Sequence, residues 1–455
     1  MKDPFPHANR VAVFGLGGSG IAVAELLAGF GKHLIASDTA DPSKCAEFEA
    51  KLPPGTELVL GRNEIGDADL IVTSPGLEPS SPIFAEADAR HIPVFAELEA
   101  AFRATQRPIV AITGTDGKTT TTTLTSHILN ACGITNKMGG NVGIPLAKVV
   151  READDLDCLV VETSAFQLAF CPEFRPHILI ATNIAEDHSE YFKGDWRRYV
   201  DTKRRALAVM THDDIAILNA SDDEIKHWTD TQARICWYAA KRSDIPQNTQ
   251  NCAYVEDHAI HFVFDGTKHR LALDALKLKG DHNLMNVMGA ILAALYMGCA
   301  FESIVASIDT YQLPPHRIQH VRTLNGIDFI DDSKATNPHA AIAALLAVDK
   351  PTVLIVGGVD KGLSLTEWIR LMSKNIRHIM VIGAMGDRFC REAECVQIPM
   401  HRCATLEQAV TQGYDLARES GCQAVMLSPG CSSYDMFKSY GERGDKFAAA
   451  AMAIS

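Results

Sequence analysis

Three times along the chain a β-branched or apolar run empties into a glycine loop: VAVFGLGGSG at 11–20, PIVAITGTDGK at 108–118 and PTVLIVGGVDKG at 351–362. A strand of continuous apolar character has to be covered on both faces, which parallel sheets flanked by helices achieve. Further runs end in small or polar residues in the same way: LIASD at 34–38, LIVTSPG at 70–76, LVVETS at 159–164, ILIATN at 178–183, IMVIGAMG at 379–386 and VMLSPG at 425–430. Strands of an open α/β sheet do so where their carboxyl ends border a ligand crevice. The pattern predicts an α/β chain of three tandem doubly wound domains. Its 455 residues agree with this, at a prior of about 150 residues per domain. One stretch departs. Between Arg234 and Leu276, short alternating runs such as AYVEDHAIHFVFDG predict an antiparallel edge on the middle sheet. Proline interrupts the pattern at QRP (106–108) and LPPH (313–316), so the expected domains are 1–105, 106–313 and 314–455.

Composition narrows the function class. No apolar run approaches the roughly 18 residues needed to cross a bilayer, and MKDPFPHANR lacks a secretory apolar segment, so the expected location is cytoplasmic. The twelve cysteines stand singly with no C-x-x-C pair, as small thiols do in a reducing compartment. The net charge of −13 repels nucleic acid and anionic membrane in bulk. An anionic substrate therefore needs a local site.

ITGTDGKTTTT at 112–122 offers such a site. Backbone N–H groups at a helix start, one ammonium and hydroxyls suit a polyphosphate. The first glycine of G-x-x-x-x-G-K-[ST] is replaced by Ile112, leaving Gly114, Gly117, Lys118 and Thr119. Lys118 can neutralise β- and γ-phosphate oxygens of ATP while the Thr119 hydroxyl ligates Mg²⁺. Magnesium also needs a carboxylate. Glu162, ending the buried-looking strand CLVVE, is a charge that only a metal or an ion partner justifies there. One strand further, NIAEDHSEYF carries Glu186, Asp187 and His188, followed by the basic stretch DWRRYVDTKRRA. Taken alone, such a histidine reads as a cap or a core hydrogen-bonder, and such a basic run as a solvated helix face.

GLGGSG at 15–20 matches a dinucleotide fingerprint, with Asp38 at the distance of a ribose ligand. A dehydrogenase follows from that alone. The better nucleotide site at 114–119 and a second glycine turn, SPG at 74–76, favour a nucleotide-diphosphate group such as UDP.

ITGTDGKTTT, ETSAFQL, NIAEDH with Lys203 fifteen residues after His188, GDHNLMN, LPPHR, DDSKATNP, GGVDKG and SPGCSSYDMFKSYGERGDKF occur in this order across nearly the whole chain. In sequence and spacing they resemble the Mur ligase family. The resemblance implies a Rossmann-like UDP-sugar domain, a central ATP-binding domain and a Rossmann-like amino-acid-binding domain. It places Gly114, Asp116, Gly117, Lys118, Thr119 and Thr120 around the ATP phosphates. Asn283 and Asn286 fall toward adenine, and Arg317 and Asp332 toward ribose and phosphates. It gives one Mg²⁺ to Thr119 and Glu162, and a second to His188 and to Lys203 as a carbamate formed from CO₂. Arg204 and Arg205, if turned toward Lys203, favour the neutral amine that carbamylation needs. Gly18, Ser19, Asp38 and Gly76 are implied on the uridine diphosphate; Asn141, Ser164 and Gln167 lie toward the muramoyl-alanine end. Lys334, Thr336, Lys361, Ser433 and Tyr440 receive the incoming amino acid.

The implied reaction joins glutamate to UDP-N-acetylmuramoyl-L-alanine through an acyl phosphate, in a cytoplasmic monomer serving peptidoglycan precursor synthesis. Rivals are a sibling ligase adding L-glutamate or another amino acid, a folylpolyglutamate synthase-like ligase, and a nucleotide-binding regulator or dehydrogenase that forms no amide. Two residues depart from the family pattern: Asp116 stands where asparagine is usual, and Glu190 where aspartate is typical.

Overall fold

The structure, a computed structural model, describes all residues except 78–80, 153–154, 187–191, 193, 277, 279, 361, 373 and 455, and the side chain of 343. Three sheets succeed one another along the chain. The first is formed by β1 (Arg10–Phe14), β2 (His33–Asp38), β3 (Glu57–Leu60), β4 (Leu70–Thr73) and β5 (Val94–Ala96), all parallel, in the order β3-β2-β1-β4-β5. The second has nine strands: β6 (Ile109–Thr113), β7 (Asn136–Gly140), β8 (Cys158–Glu162), β9 (Ile178–Ala181), β10 (Ile215–Asn219), β11 (Arg234–Ala239), β12 (Cys252–Glu256), β13 (Ala259–Phe264) and β14 (Thr267–Ala272). Their order is β14-β13-β12-β11-β10-β9-β6-β8-β7. The third comprises β15 (Gln319–Leu324), β16 (Ile327–Asp331), β17 (Thr352–Gly357), β18 (Ile376–Ile382), β19 (Met400–Arg402) and β20 (Ala424–Leu427), in the order β15-β16-β20-β17-β18-β19.

Two compact units result. The first two sheets share one, and the third sheet belongs to the other. Continuous apolar runs have the expected cause. On β17, Val353 and Ile355 pack into one core with Tyr414 and Phe447, while Leu354 and Val356 pack into another with Trp368 and Phe389. Both faces are therefore covered, each such side chain contributing about 1.5–3 kcal/mol by leaving water.

The antiparallel edge is shorter than expected. β12, β13 and β14 pair antiparallel, but β11 runs parallel to both β10 and β12. The reason is local: Cys236, Trp237, Tyr238 and Ala239 are consecutively buried, as in a strand covered on both faces, and alternation begins only beyond Cys252. In the third sheet β15 also pairs antiparallel with β16, beside four parallel strands.

Candidate active site

In the first sheet, β1 leads into the loop Gly15–Gly17 and the helix Gly18–Ala28. Ser74, beyond β4, packs against the loop: a Cβ added to Gly15 would meet Ser74 Oγ at 2.1 Å. A cavity of ≈ 400 Å³ opens here, lined by residues that include Gly15, Asp38, Asn63, Gly76 and Ser81. It lies where the strand order reverses between β1 and β4, the usual crevice of an open α/β sheet. Asp38 does more than line it. Its Oδ2 accepts the Leu16 N–H at 2.6 Å and its Oδ1 the Ala40 N–H at 2.8 Å, so the carboxylate also fixes the glycine loop.

The phosphate loop follows β6, which lies between β8 and β9. Gly117, in the left-handed region at φ 77°, precedes the helix Lys118–Ala131. The loop is clamped by residues after β9. Asn183 O accepts the Thr115 N–H at 2.8 Å and Asn183 Oδ1 the Asp116 N–H at 2.8 Å. Thr182 Oγ1 donates to Asp116 O at 2.6 Å. Gly114, at φ 141°, admits no side chain: an added Cβ would lie 1.9 Å from Thr182 Oγ1. Gly117 is closed off likewise, by Asn286 Oδ1 at 2.3 Å. Lys118 Nζ donates to Thr115 O at 2.6 Å, so the ammonium lies over its own loop.

Beside the loop, Glu162 ends β8 opposite Ile112 of β6 and is 1% exposed. Its Oε1 accepts from Asn141 Nδ2 at 2.7 Å, while Oε2 is buried without a hydrogen-bond partner. An unpartnered buried carboxylate oxygen is costly, and a hard cation with oxygen ligands is what such an atom fits. Thr119 supplies a hydroxyl at the start of the same helix as Lys118. Among the described residues no three His, Cys, Asp or Glu side chains converge as a metal cluster. On the helix Trp196–Ala208, Lys203 is 2% exposed; its Nζ donates to Gly114 O at 2.6 Å and lies 4.9 Å from the Tyr199 ring centroid. The Tyr199 hydroxyl in turn bonds Thr115 Oγ1 at 2.9 Å.

The second unit carries a cluster of its own at the ends of β16 and β20. Arg443, fully buried, donates through Nε to Ser333 Oγ at 2.9 Å, through Nη2 to Ser333 O at 2.7 Å and through Nη1 to Cys431 O at 3.0 Å. Burial lowers its guanidinium to about 10. Ser333 Oγ donates to Tyr440 O at 2.8 Å, and Lys334 Nζ lies 5.4 Å from the Tyr440 ring centroid. Lys334, Tyr440 and the segment around Ser433 are thus gathered around one buried cation. Asp332 Oδ2 accepts from Ser428 Oγ at 2.8 Å, and burial pushes this carboxyl up to about 7.

The chain is similar to known proteins along most of its length. Residues 9–96 match the Mur ligase MurD-like N-terminal domain, 112–294 the Mur ligase middle domain and 316–431 the Mur ligase glutamate ligase domain. A UDP-N-acetylmuramoylalanine–D-glutamate ligase of Geotalea uraniireducens is 35% identical over 443 residues, covering 96% of each chain. The chain belongs to the Mur ligase family. A second ligase of the same name, from Geotalea daltonii, is 34% identical and covers 98% of each chain. A crystal structure of MurF from Acinetobacter baumannii shares the fold of this Mur ligase, with TM-score 0.63 and 16% identity, covering 98% of this chain and 93% of its own.

Several expected site residues in this Mur ligase have further or different partners. Ser164 and Gln167 form a reciprocal cap on the helix Ala165–Leu168, each bonding the other's side chain and backbone. Asn286 packs on Gly117 and accepts from Thr121 Oγ1 at 3.1 Å, and Asn283 lies 3.4 Å from it, so both reach the root of the phosphate loop. The expectation that Arg204 and Arg205 turn toward Lys203 is corrected. Arg204 faces Asp230, and Arg205 donates to Ala169 O at 2.8 Å. His188, Asp187, Glu190 and Lys361 lie outside the described residues. Asn183, Tyr199 and Arg443 were not singled out from sequence. For Asn183 the signal was available, a polar pair directly after the apolar run of β9.

Proposed function

We propose that this Mur ligase adds D-glutamate to UDP-N-acetylmuramoyl-L-alanine, with ATP, in the synthesis of peptidoglycan precursors. The observation that carries the reading is full-length likeness to ligases named for that reaction, 35% identity over 96% of the chain, with the N-terminal domain included.

The residues present suit the chemistry. The substrate carboxylate attacks the γ-phosphorus, the bond to the β–γ bridging oxygen breaks, and ADP leaves an acyl phosphate. The glutamate amine then attacks the acyl carbon and loses a proton. The tetrahedral adduct expels inorganic phosphate and the amide remains. Loop amides and Lys118 stabilise charge developing on the transferred phosphoryl group. Carboxylate meeting triphosphate is anion meeting anion. Two Mg²⁺ ions, held by Thr119 with Glu162 and by His188 with Lys203, would supply the positive charge that permits it. In this reading Lys203 is a carbamate: its neutral nitrogen bonds the carbon of CO₂, a proton leaves, and an ammonium unable to ligate metal becomes a carboxylate. Its burial supports this, since an isolated charge is costly there. The first-unit cavity takes the UDP group, with Gly18, Ser19, Asp38 and Gly76 around it, and the proposed setting is a cytoplasmic monomer.

Phosphate release measured with ATP should require UDP-N-acetylmuramoyl-L-alanine and D-glutamate together, with L-glutamate inactive. Equal turnover with L-glutamate, or release with neither substrate needed, overturns the reading and admits the sibling-ligase or non-ligase alternatives.

Lys361, in GGVDKG, is proposed to pair with the glutamate carboxylate. Lys361→Ala is expected to raise the KM for glutamate by an amount equivalent to about 2–4 kcal/mol, with the KM for ATP nearly unchanged. Equal weakening toward both substrates would contradict this assignment.

A further inference from the structure

One buried acid has no part in the chemistry above. Glu97 opens the helix Glu97–Ala104 directly after β5, and it is fully buried. Its Oε1 accepts the Ala147 N–H at 2.6 Å, from the first turn of the helix Leu146–Glu152. Its Oε2 is buried without a hydrogen-bond partner. Burial pushes the carboxyl up to about 7, so the neutral acid is well populated near neutral pH. Nearby, Glu99 pairs with Arg103 at 2.8 Å, and the Cys171 thiol is raised by burial and by both glutamates.

What Glu97 holds gives it significance. The helix Leu146–Glu152 packs against the helices Gly18–Ala28 and Glu97–Ala104 of the first sheet's layer. Arg151 reaches Glu25 at 2.6 Å. Immediately before that helix, Pro145 lies 3.9 Å from where a Cβ on Gly18 would sit, next to the first-unit cavity's glycine loop. Gly140 N–H donates to Ile144 O at 3.0 Å, and Asn141 binds Glu162 twice, through its backbone N–H to Glu162 O at 2.8 Å and through Nδ2 to Oε1. The segment 140–147 thus runs from the Glu162 carboxylate to the nucleotide-binding end of the first sheet, with Glu97 fixing its far end.

We propose that Glu97 is a positioning residue for the ligase reaction: by accepting the Ala147 N–H it anchors the segment 140–147, and through Asn141 it aims Glu162 at the phosphate loop. The proposal rests on the function given above. Its acceptor oxygen is what matters, so Glu97→Gln, which keeps the acceptor and mimics the neutral acid, should retain kcat within about twofold of wild type. Glu97→Met keeps the volume without an acceptor. It should lower kcat by about 10-fold, the low end of what losing a direct partner of a metal-ligand carboxylate costs, because Glu97 acts one step further out through Asn141, with KM for ATP and glutamate nearly constant. Hydrogen exchange of the peptide spanning 140–147 should accelerate in the Met variant and not in the Gln variant, without added nucleotide or metal. Equal kcat for the two variants, an equal loss in both, or a collapse of melting temperature in the Met variant overturns the positioning role. Wild-type inactivity with the named substrates would instead overturn the function itself.

Discussion

Lys203→Ala is expected to lower kcat by about 100-fold or more, with part of the loss restored by acetate or formate. The magnitude follows from removing a charged group that touches the phosphate loop in a buried site. Rescue follows from the proposed carbamate, because a small carboxylate can occupy the space left by the side chain and offer the same oxygen to a cation. The structure contributes the location: Nζ lies 2.6 Å from Gly114 O and under the Tyr199 ring. Arg204 and Arg205 point toward Asp230 and Ala169 O, so in the proposed carbamate the neutral amine would come from burial and a bound metal rather than from these guanidinium groups. Full activity in the alanine variant, or activity loss with no response to either anion at any concentration, would exclude the carbamate.

Gly114→Ala should weaken ATP binding by about 100-fold while leaving UDP binding at the first sheet unaltered. At φ 141° an alanine stores strain of about 1–3 kcal/mol. The larger effect is steric, because its Cβ would overlap Thr182 Oγ1, which also holds Asp116 O. The loop must move away from the clamp that presents its amides, and a displacement near 1 Å at such a site costs on the order of 100-fold. Isothermal titration with ATP and with UDP separates local from global damage. ATP affinity within about threefold of wild type would show that the loop tolerates movement and that the clamp is dispensable.

These residues also show what can be read from a sequence and what cannot. The apolar runs of β6, β17 and β20 announce parallel strands because both faces are buried, and the glycines of 114–118 announce a phosphate loop because only glycine fits there. Glu162 was legible as a charge ending an apolar strand. Other features have partners too distant in sequence to leave a pattern. Asn183 reaches the Asp116 carbonyl across 67 positions, Glu97 the Ala147 N–H across 50, and Arg443 the Ser333 carbonyl across 110. Each of these side chains bonds to backbone atoms, which every residue type possesses, so the partner carries no compositional mark. The direction of a basic run is equally hidden. Arg204 and Arg205 read as neighbours of Lys203, yet successive helical residues point about 100° apart. Ser164 and Gln167 present the opposite case, since S-x-x-Q is a capping signature whose local meaning the structure displays.

Arg443 has a consequence for how the protein is made. Ribosomes release a chain from its amino end, so Ser333 emerges 110 positions ahead of the guanidinium that fixes it, and Cys431 emerges 12 positions ahead. The helix Tyr440–Ala453 brings the guanidinium that bonds both Ser333, next to Lys334, and Cys431, near Ser433. A product stopped before Tyr440 would therefore carry the whole glycine loop at 114–117 while the proposed amino-acid site lacked the guanidinium that bonds Ser333 and Cys431.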